Sequence, residues 1–256
     1  MTGELKGRET AAFRPDLFDG KTVLVSGATS GIGLAIAQGF AALGAQVIAT
    51  GSSENKIEGL RADTALEGIR FEQLDVRDNN AIKAFVGNLH VLDVLVNAAG
   101  VARPVDEYRD DVFREVIDVN LTAAMRLAMA ARGKLERARG SIINVASMLS
   151  YIADVDVPAY CASKTGILGL TRSLAHAFGP AGVRVNAIAP GYHRTDMTRA
   201  LWEVPASADK IAARSALKRW GEVDDLVGAT LFLASPASAF ITGVTLPVDG
   251  GYATGV

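Results

Sequence analysis

Lys21-Thr22-Val23-Leu24-Val25-Ser26-Gly27-Ala28-Thr29-Ser30-Gly31-Ile32-Gly33 is the stretch whose reading decides the fold. Its first part, 21–25, is a short apolar run of the kind a strand buried on both faces shows. It runs into a glycine-rich turn, and residues 34–43 then read as a helix. Strand, glycine turn and helix in that order suit a dinucleotide. Glycines let the backbone approach a pyrophosphate, which rests on the free N–H groups of the helix N-terminus. The glycines fall at 27, 31 and 33, a G-x-x-x-G-x-G spacing rather than G-x-G-x-x-G. Alone, that spacing also fits a turn that holds no ligand.

Outward from this unit, β and α patterns alternate to the end of the chain. Strands are expected at 46–50, 69–74, 91–96, 141–145, 184–188 and around 244–246. Helices are expected from Glu54, over 79–88, over 110–135 with Asn120 inside, around Tyr160, and over 223–233. Residues 1–20 read as a loosely ordered lead-in and 21–256 as one domain. Residues 193–216 read as a polar excursion. Without a break in composition, the alternation implies one doubly wound parallel α/β sheet with helices on both faces. Ligands of such sheets bind beyond the carboxyl ends of the strands, where Gly27, Asp75, Gly100, Ser147 and Gly191 fall.

The 256 residues are 49% hydrophobic, enough for a substantial core, and the formal net charge of −2 comes with no basic run suited to nucleic acid. No apolar stretch is long enough to span a membrane, and Met1 to Arg14 lacks the apolar centre of a signal peptide. The lone Cys161 excludes an internal disulfide, and the scattered His90, His176 and His193 show no metal-ligand spacing, so no metal is expected. The expectation is a soluble cytoplasmic protein.

Tyr160 and Lys164 stand four residues apart in A-Y-C-A-S-K-T-G, which puts both on one helix face, a turn apart. A phenol, with its usual pKa of about 10, is a poor base at neutral pH. An ammonium beside it favours the phenolate and makes the pair a usable proton shuttle.

Together these residues resemble the short-chain dehydrogenase/reductase family. The likeness rests on S-G-A-T-S-G-I-G at 26–33, Asp75-Val76, N-A-A-G at 97–100, Asn120, Ser147, Y-C-A-S-K at 160–164 and P-G at 190–191. Ser26 stands where threonine is usual and Ala98 where a second asparagine is common. The resemblance implies a Rossmann-type fold and an NAD(P)-dependent oxidoreductase of alcohols and ketones. Tyr160 would exchange the proton at the substrate oxygen, Lys164 would lower the tyrosine pKa and hold the nicotinamide ribose, and Ser147 would orient the substrate. Asn120 would anchor a water in a proton relay. The cofactor would lie on Gly27, Thr29, Ser30, Gly31, Ile32 and Gly33, on Ser52, and on Asp75 and Val76, with Asp75 meeting the adenine. Asn97, Ala98, Gly100, Tyr160, Lys164, Pro190, Gly191, His193 and Thr195 would complete its bed, His193 as a wall rather than a catalyst.

Three functions remain open: oxidation and reduction of a small sugar, polyol or similar secondary alcohol; reduction of 3-oxoacyl thioesters on an acyl carrier protein; and non-catalytic dinucleotide sensing. The acyl-carrier reading expects cations near 138 and 181, where the chain has Ala138, flanked by Arg137 and Arg139, and Ala181. Residues 148–157 and 192–216 are expected to wall the substrate site, where Asp154 or Asp156 would favour neutral hydroxyl groups and repel carboxylates. For the cofactor, the second strand ends Thr50-Gly51-Ser52-Ser53, with Gly51 where an NAD-selecting enzyme carries a carboxylate. That leans to NADP(H) and leaves NAD(H) open, since Ser30 and Ser52 are not arginines and Lys56 is the nearest cation. Helices rich in small and apolar residues beyond one stripe, over 116–131 and 159–178, predict a homo-oligomer packed through them, which the family resemblance implies is a homotetramer.

Overall fold

The protein is described by a computed structural model over residues 8–255. Strands β1 (Thr22–Ser26), β2 (Gln46–Gly51), β3 (Ile69–Gln73), β4 (Val94–Asn97), β5 (Ser141–Val145), β6 (Arg184–Pro190) and β7 (Thr245–Val248) form one sheet. Its order is β3-β2-β1-β4-β5-β6-β7, and every neighbouring pair is parallel. The chain leaves β1 toward β3 on one side and returns to β4 on the other, so the order reverses between β1 and β4. A crevice opens at such a reversal, beyond the carboxyl ends. Pro247 lies in β7, an edge strand, where a missing N–H costs no ladder bond.

The helices in chain order are α1 (Arg8–Ala11), α2 (Gly31–Ala41), α3 (Glu54–Arg61), α4 (Asn79–Gly87), α5 (Asp110–Ile117), α6 (Ala123–Ala138), α7 (Pro158–Phe178), α8 (Arg199–Trp202), α9 (Pro205–Arg214) and α10 (Val227–Ala234). Alternate residues of each strand point to opposite faces, and the core divides accordingly. Val23 and Val25 pack with Ile36 and Phe40 of α2 and Leu231 of α10. Leu24, Leu95 and Ile142 pack with Ile82 of α4, Leu127 of α6 and Phe178 of α7. Each such side chain, fully buried, contributes about 1.5–3 kcal/mol.

Several boundaries differ from the sequence expectation. β4 starts at Val94 because the Asp93 carboxylate takes the Thr22 N–H and the Lys21 ammonium, which ends the preceding loop. The expected long helix over 110–135 is α5 and α6 joined by a π-turn over Asp118–Thr122. The excursion at 193–216 carries α8 and α9. Of the expected loose lead-in, residues 1–7 lie outside the described residues, but the rest is anchored: Phe18 is buried, its ring edge-on to Phe40.

Candidate active site

The glycine turn brings the main chain of two strands close together. Gly27 has φ +71°, and a Cβ there would lie 2.4 Å from the Ala99 Cα; a Cβ at Gly33 would lie 2.3 Å from the Gly27 oxygen. The first turn of α2 therefore begins directly over β1. Its N-cap, Ser30, makes no side-chain cap bond, and no acidic residue sits in that turn, so its N–H groups remain for an anion. They face a cleft of about 380 Å³ over the β1–β4 crevice. Of the expected residues, Gly27, Thr29, Ser30, Gly31, Ile32, Gly33, Ser52, Asp75, Val76, Ala98, Gly100, Tyr160, Lys164 and Thr195 line it. These are the parts a nicotinamide dinucleotide needs: a main-chain bed for phosphate at one end and the Tyr–Lys pair at the other. A larger hollow of about 600 Å³ lies at the amino ends of the strands, beside Lys21, Asp93 and Arg184, and gathers none of these groups.

Other predicted residues do not line the cleft. Asn97 points inward and donates to Asn144 Oδ1 at 2.8 Å. Gly191 packs on Asp249, and its N–H bonds Val248, while Pro190 is buried in β6. His193 is buried with Nδ1 3.1 Å from the Gly191 oxygen, and burial lowers its pKa. Asp75 is engaged by Arg77, whose main chain and guanidinium both donate to it and hold its carboxyl below the usual range. An adenine amino group there would have to share Asp75 with Arg77.

At the catalytic end, Ser147 does two things. Its Oγ accepts the Leu149 N–H at 3.1 Å, capping the turn after β5, and its hydroxyl acts to lower the Tyr160 pKa. Lys164 is buried and donates from Nζ to the Val145 carbonyl at 2.8 Å. Asn120 sits on the π-turn; Oδ1 accepts the Val101 N–H, and Nδ2 donates to the Val101 carbonyl and Ser163. One lone pair of Oδ1 is left for a water.

The expectation that Lys164 lowers the Tyr160 pKa is not met in the free chain. Burial pushes the phenol up to about 12, against which the Ser147 hydrogen bond acts, and burial pushes Lys164 down to about 8. The physical reason is geometric: Nζ is turned to Val145 and lies 5.5 Å from the Tyr160 ring centre. The free site thus holds a phenol, the form that gives a proton to a carbonyl.

The cofactor-selecting position also differs from its reading. A Cβ at Gly51 would lie 2.5 Å from the Thr29 methyl, so that place is closed to a carboxylate while Thr29 stands there. Ser53 caps α3 by accepting the Lys56 N–H, which leaves the exposed Ser52 hydroxyl and the Lys56 ammonium.

Sequence reasoning missed three side chains. Lys210 and Arg214 of α9 line a hollow of about 520 Å³ with Met148, Leu149, Asp154, Tyr192 and Tyr252, directly behind the Ser147 turn. The Arg214 guanidinium lies 4.5 Å over the Tyr252 ring. Neither cation pairs with a carboxylate among the described residues. Glu107, fully buried, reaches the backbone of Tyr160. Each is far from every motif, which is why none stood out.

Comparison with known proteins agrees with this geometry. A family model described as enoyl-(acyl carrier protein) reductase matches residues 27–253. Gluconate 5-dehydrogenase of Gluconobacter oxydans is 35% identical over 248 residues, 93% of this chain and 97% of that protein. A 3-oxoacyl-[acyl-carrier-protein] reductase of Salmonella typhimurium is 36% identical over 241 residues, 91% of this chain and 98% of its own. The crystal structure of a gluconate 5-dehydrogenase from Burkholderia cenocepacia, in complex with NADP and tartrate, superposes with TM-score 0.88 at 33% identity, covering 94% of this chain and 98% of that one. With its glycine turn, its Ser–Tyr–Lys cluster and these relatives in agreement, the chain belongs to the short-chain dehydrogenase/reductase family and is an NAD(P)-dependent oxidoreductase acting on CH–OH and C=O.

Proposed function

We propose that this enzyme interconverts a sugar acid bearing a secondary alcohol and the corresponding keto acid, with NADP(H). The observation that carries the substrate class is the hollow behind Ser147. Two unpaired cations, Lys210 and Arg214, oppose one carboxylate, Asp154, so an anionic tail is attracted there. This reverses the expectation of a neutral polyol drawn from Asp154 or Asp156, of which only Asp154 lines the hollow. The relatives named for gluconate point the same way.

The bound nicotinamide supplies or takes the hydride. Ser147 and Tyr160 hold the substrate oxygen between their hydroxyls. In reduction Tyr160 gives its proton to that oxygen; in oxidation it takes the proton away. Lys164 and a water held by Asn120 would return protons from Tyr160 toward solvent, and the Lys164 ammonium would hold the cofactor's ribose hydroxyls. NADP(H) is favoured because no carboxylate can stand at Gly51, Ser52 and Lys56 are free for a 2′-phosphate, and the Burkholderia relative was crystallised with NADP.

The decisive measurement compares a six-carbon sugar acid with its neutral polyol, with NADP+. The acid should lead by tenfold or more in kcat/KM, and Arg214→Gln should lose about tenfold to a hundredfold on the acid and far less on the polyol. Equal use of acid and polyol would defeat the reading. A second reading, 3-oxoacyl-thioester reduction, draws on the Salmonella relative and on exposed Arg137 and Arg139. It is the weaker, since Ala138 and Ala181 bring no cation.

We assign the enzyme to the cytoplasm, in keeping with its free Cys161 and with the finding that no described helix is long and apolar enough to cross a membrane. A homotetramer is the assembly that best accounts for Phe113, Met125 and Met129 standing exposed on α5 and α6 and Leu246 on β7. Residues 21–256 act as one catalytic unit.

A further inference from the structure

Glu107 is 0% exposed, yet no cation pairs with it among the described residues. Its two oxygens are taken by main chain from two sides of the active site. Oε1 accepts the Arg103 N–H at 2.8 Å, from the loop that follows β4 and edges the cofactor cleft. Oε2 accepts the Tyr160 N–H, also at 2.8 Å, in the first turn of α7.

That first turn has no cap of its own. Val157, the N-cap, has no side chain able to accept, and Pro158 at the first position has no N–H to give. A carboxylate from elsewhere in the chain fills the gap and faces the positive end of the helix dipole. The segment carrying it is held firmly: Val105, at φ 72°, donates its N–H to the Asp156 carbonyl at 2.8 Å, and the Tyr108 hydroxyl donates to the Val155 carbonyl at 2.9 Å.

We propose that Glu107 is a positioning residue for the reaction, clamping the edge of the cofactor cleft to the main chain of Tyr160. The clamp fixes the root of the Tyr160 side chain against Ser147. Burial bears most on the phenol and raises its pKa; Ser147 lowers it, and Cys161 and Glu107 add smaller upward contributions, with Lys164 beside the ring. The inference rests on Tyr160 being the proton carrier, and it holds for any substrate of this site.

Glu107→Gln keeps the shape but removes the charge, and its amide nitrogen cannot accept the second N–H. Expected in the purified enzyme is a tenfold to hundredfold fall in kcat, KM for the cofactor within threefold of wild type, and a rising limb of the oxidation profile moved to lower pH. Glu107→Asp keeps the charge but is too short to reach both N–H groups, so kcat should fall about tenfold with the limb unmoved. A Glu107→Gln kcat within threefold of wild type, or a cofactor KM raised as far as kcat falls, overturns the proposal. Should that variant not fold, Glu107→Asp decides, and a kcat within threefold of wild type overturns it. Tyr160→Phe separates the two readings: if it stays active, the role of Tyr160 fails, not the clamp alone.

Discussion

The cleft over β1 and β4 is shaped by main chain, whereas the hollow between the Ser147 turn and α9 is shaped by side chains. In the cleft, the absence of Cβ atoms at Gly27 and Gly33 lets strand, turn and helix touch, and bare N–H groups make the anion seat. In the hollow, Arg214, Lys210, Tyr192 and Tyr252 meet from segments far apart in the chain. Main-chain sites tolerate few residue types and leave a local motif. Side-chain sites can be rebuilt with many residues, and so their ligand changes while the fold does not.

The largest effect should come from the junction of the two regions. Tyr160→Phe keeps the ring but removes the proton, so turnover should fall by about a thousandfold or more while cofactor binding, measured by titration, survives. A loss under tenfold would remove Tyr160 from the chemistry.

Next comes the adenosine end of the main-chain region. Gly51→Asp would ordinarily shift an enzyme of this kind toward NAD(H). Here the new Cβ meets Thr29, so kcat/KM should fall about tenfold with both cofactors. A clean switch to NAD(H) with undiminished rate would show that Thr29 moves aside and that the bed is less rigid than its contacts imply. Pairing Gly51→Asp with Thr29→Ala should recover the switch.

The smallest effect expected is on pH. Because burial holds Tyr160 up near 12 and Lys164 down near 8, reduction finds the phenol it needs throughout the neutral range. It should decline severalfold as pH rises through about 8, where the Lys164 ammonium loses its proton. A reduction rate flat to pH 10 would mean that Lys164 is held charged once cofactor binds.

The alternation of strands and helices, the glycine turn and the Tyr–Lys pair were legible in the sequence because each depends on local spacing. Ser147 was legible too, and it also caps the turn it begins. Other residues were placed on the right loops yet face elsewhere: Asn97 turns to Asn144 and His193 to the Gly191 carbonyl. Spacing along a chain does not tell which side of a loop a side chain takes. Glu107 and Arg214 were invisible for a related reason. Their partners, Tyr160 and the wall of the hollow, are distant in sequence, and nothing near either residue signals the meeting.

The segment that carries α8 and α9 begins and ends at one point. His193 and Gly221 pair as a parallel bridge, with the Arg194 N–H donating to Gly221 and the Gly221 N–H to Tyr192, each at 2.9 Å. Everything between them leaves the sheet and returns to it through that clasp. Doubling the length of such a closed excursion costs only about 0.6 kcal/mol in chain entropy. The stretch can therefore vary in length without disturbing the sheet. A donor segment from a relative, joined beyond the edge of the cofactor cleft at residues 195–197 and again at Gly221, would carry its own substrate preference onto this sheet.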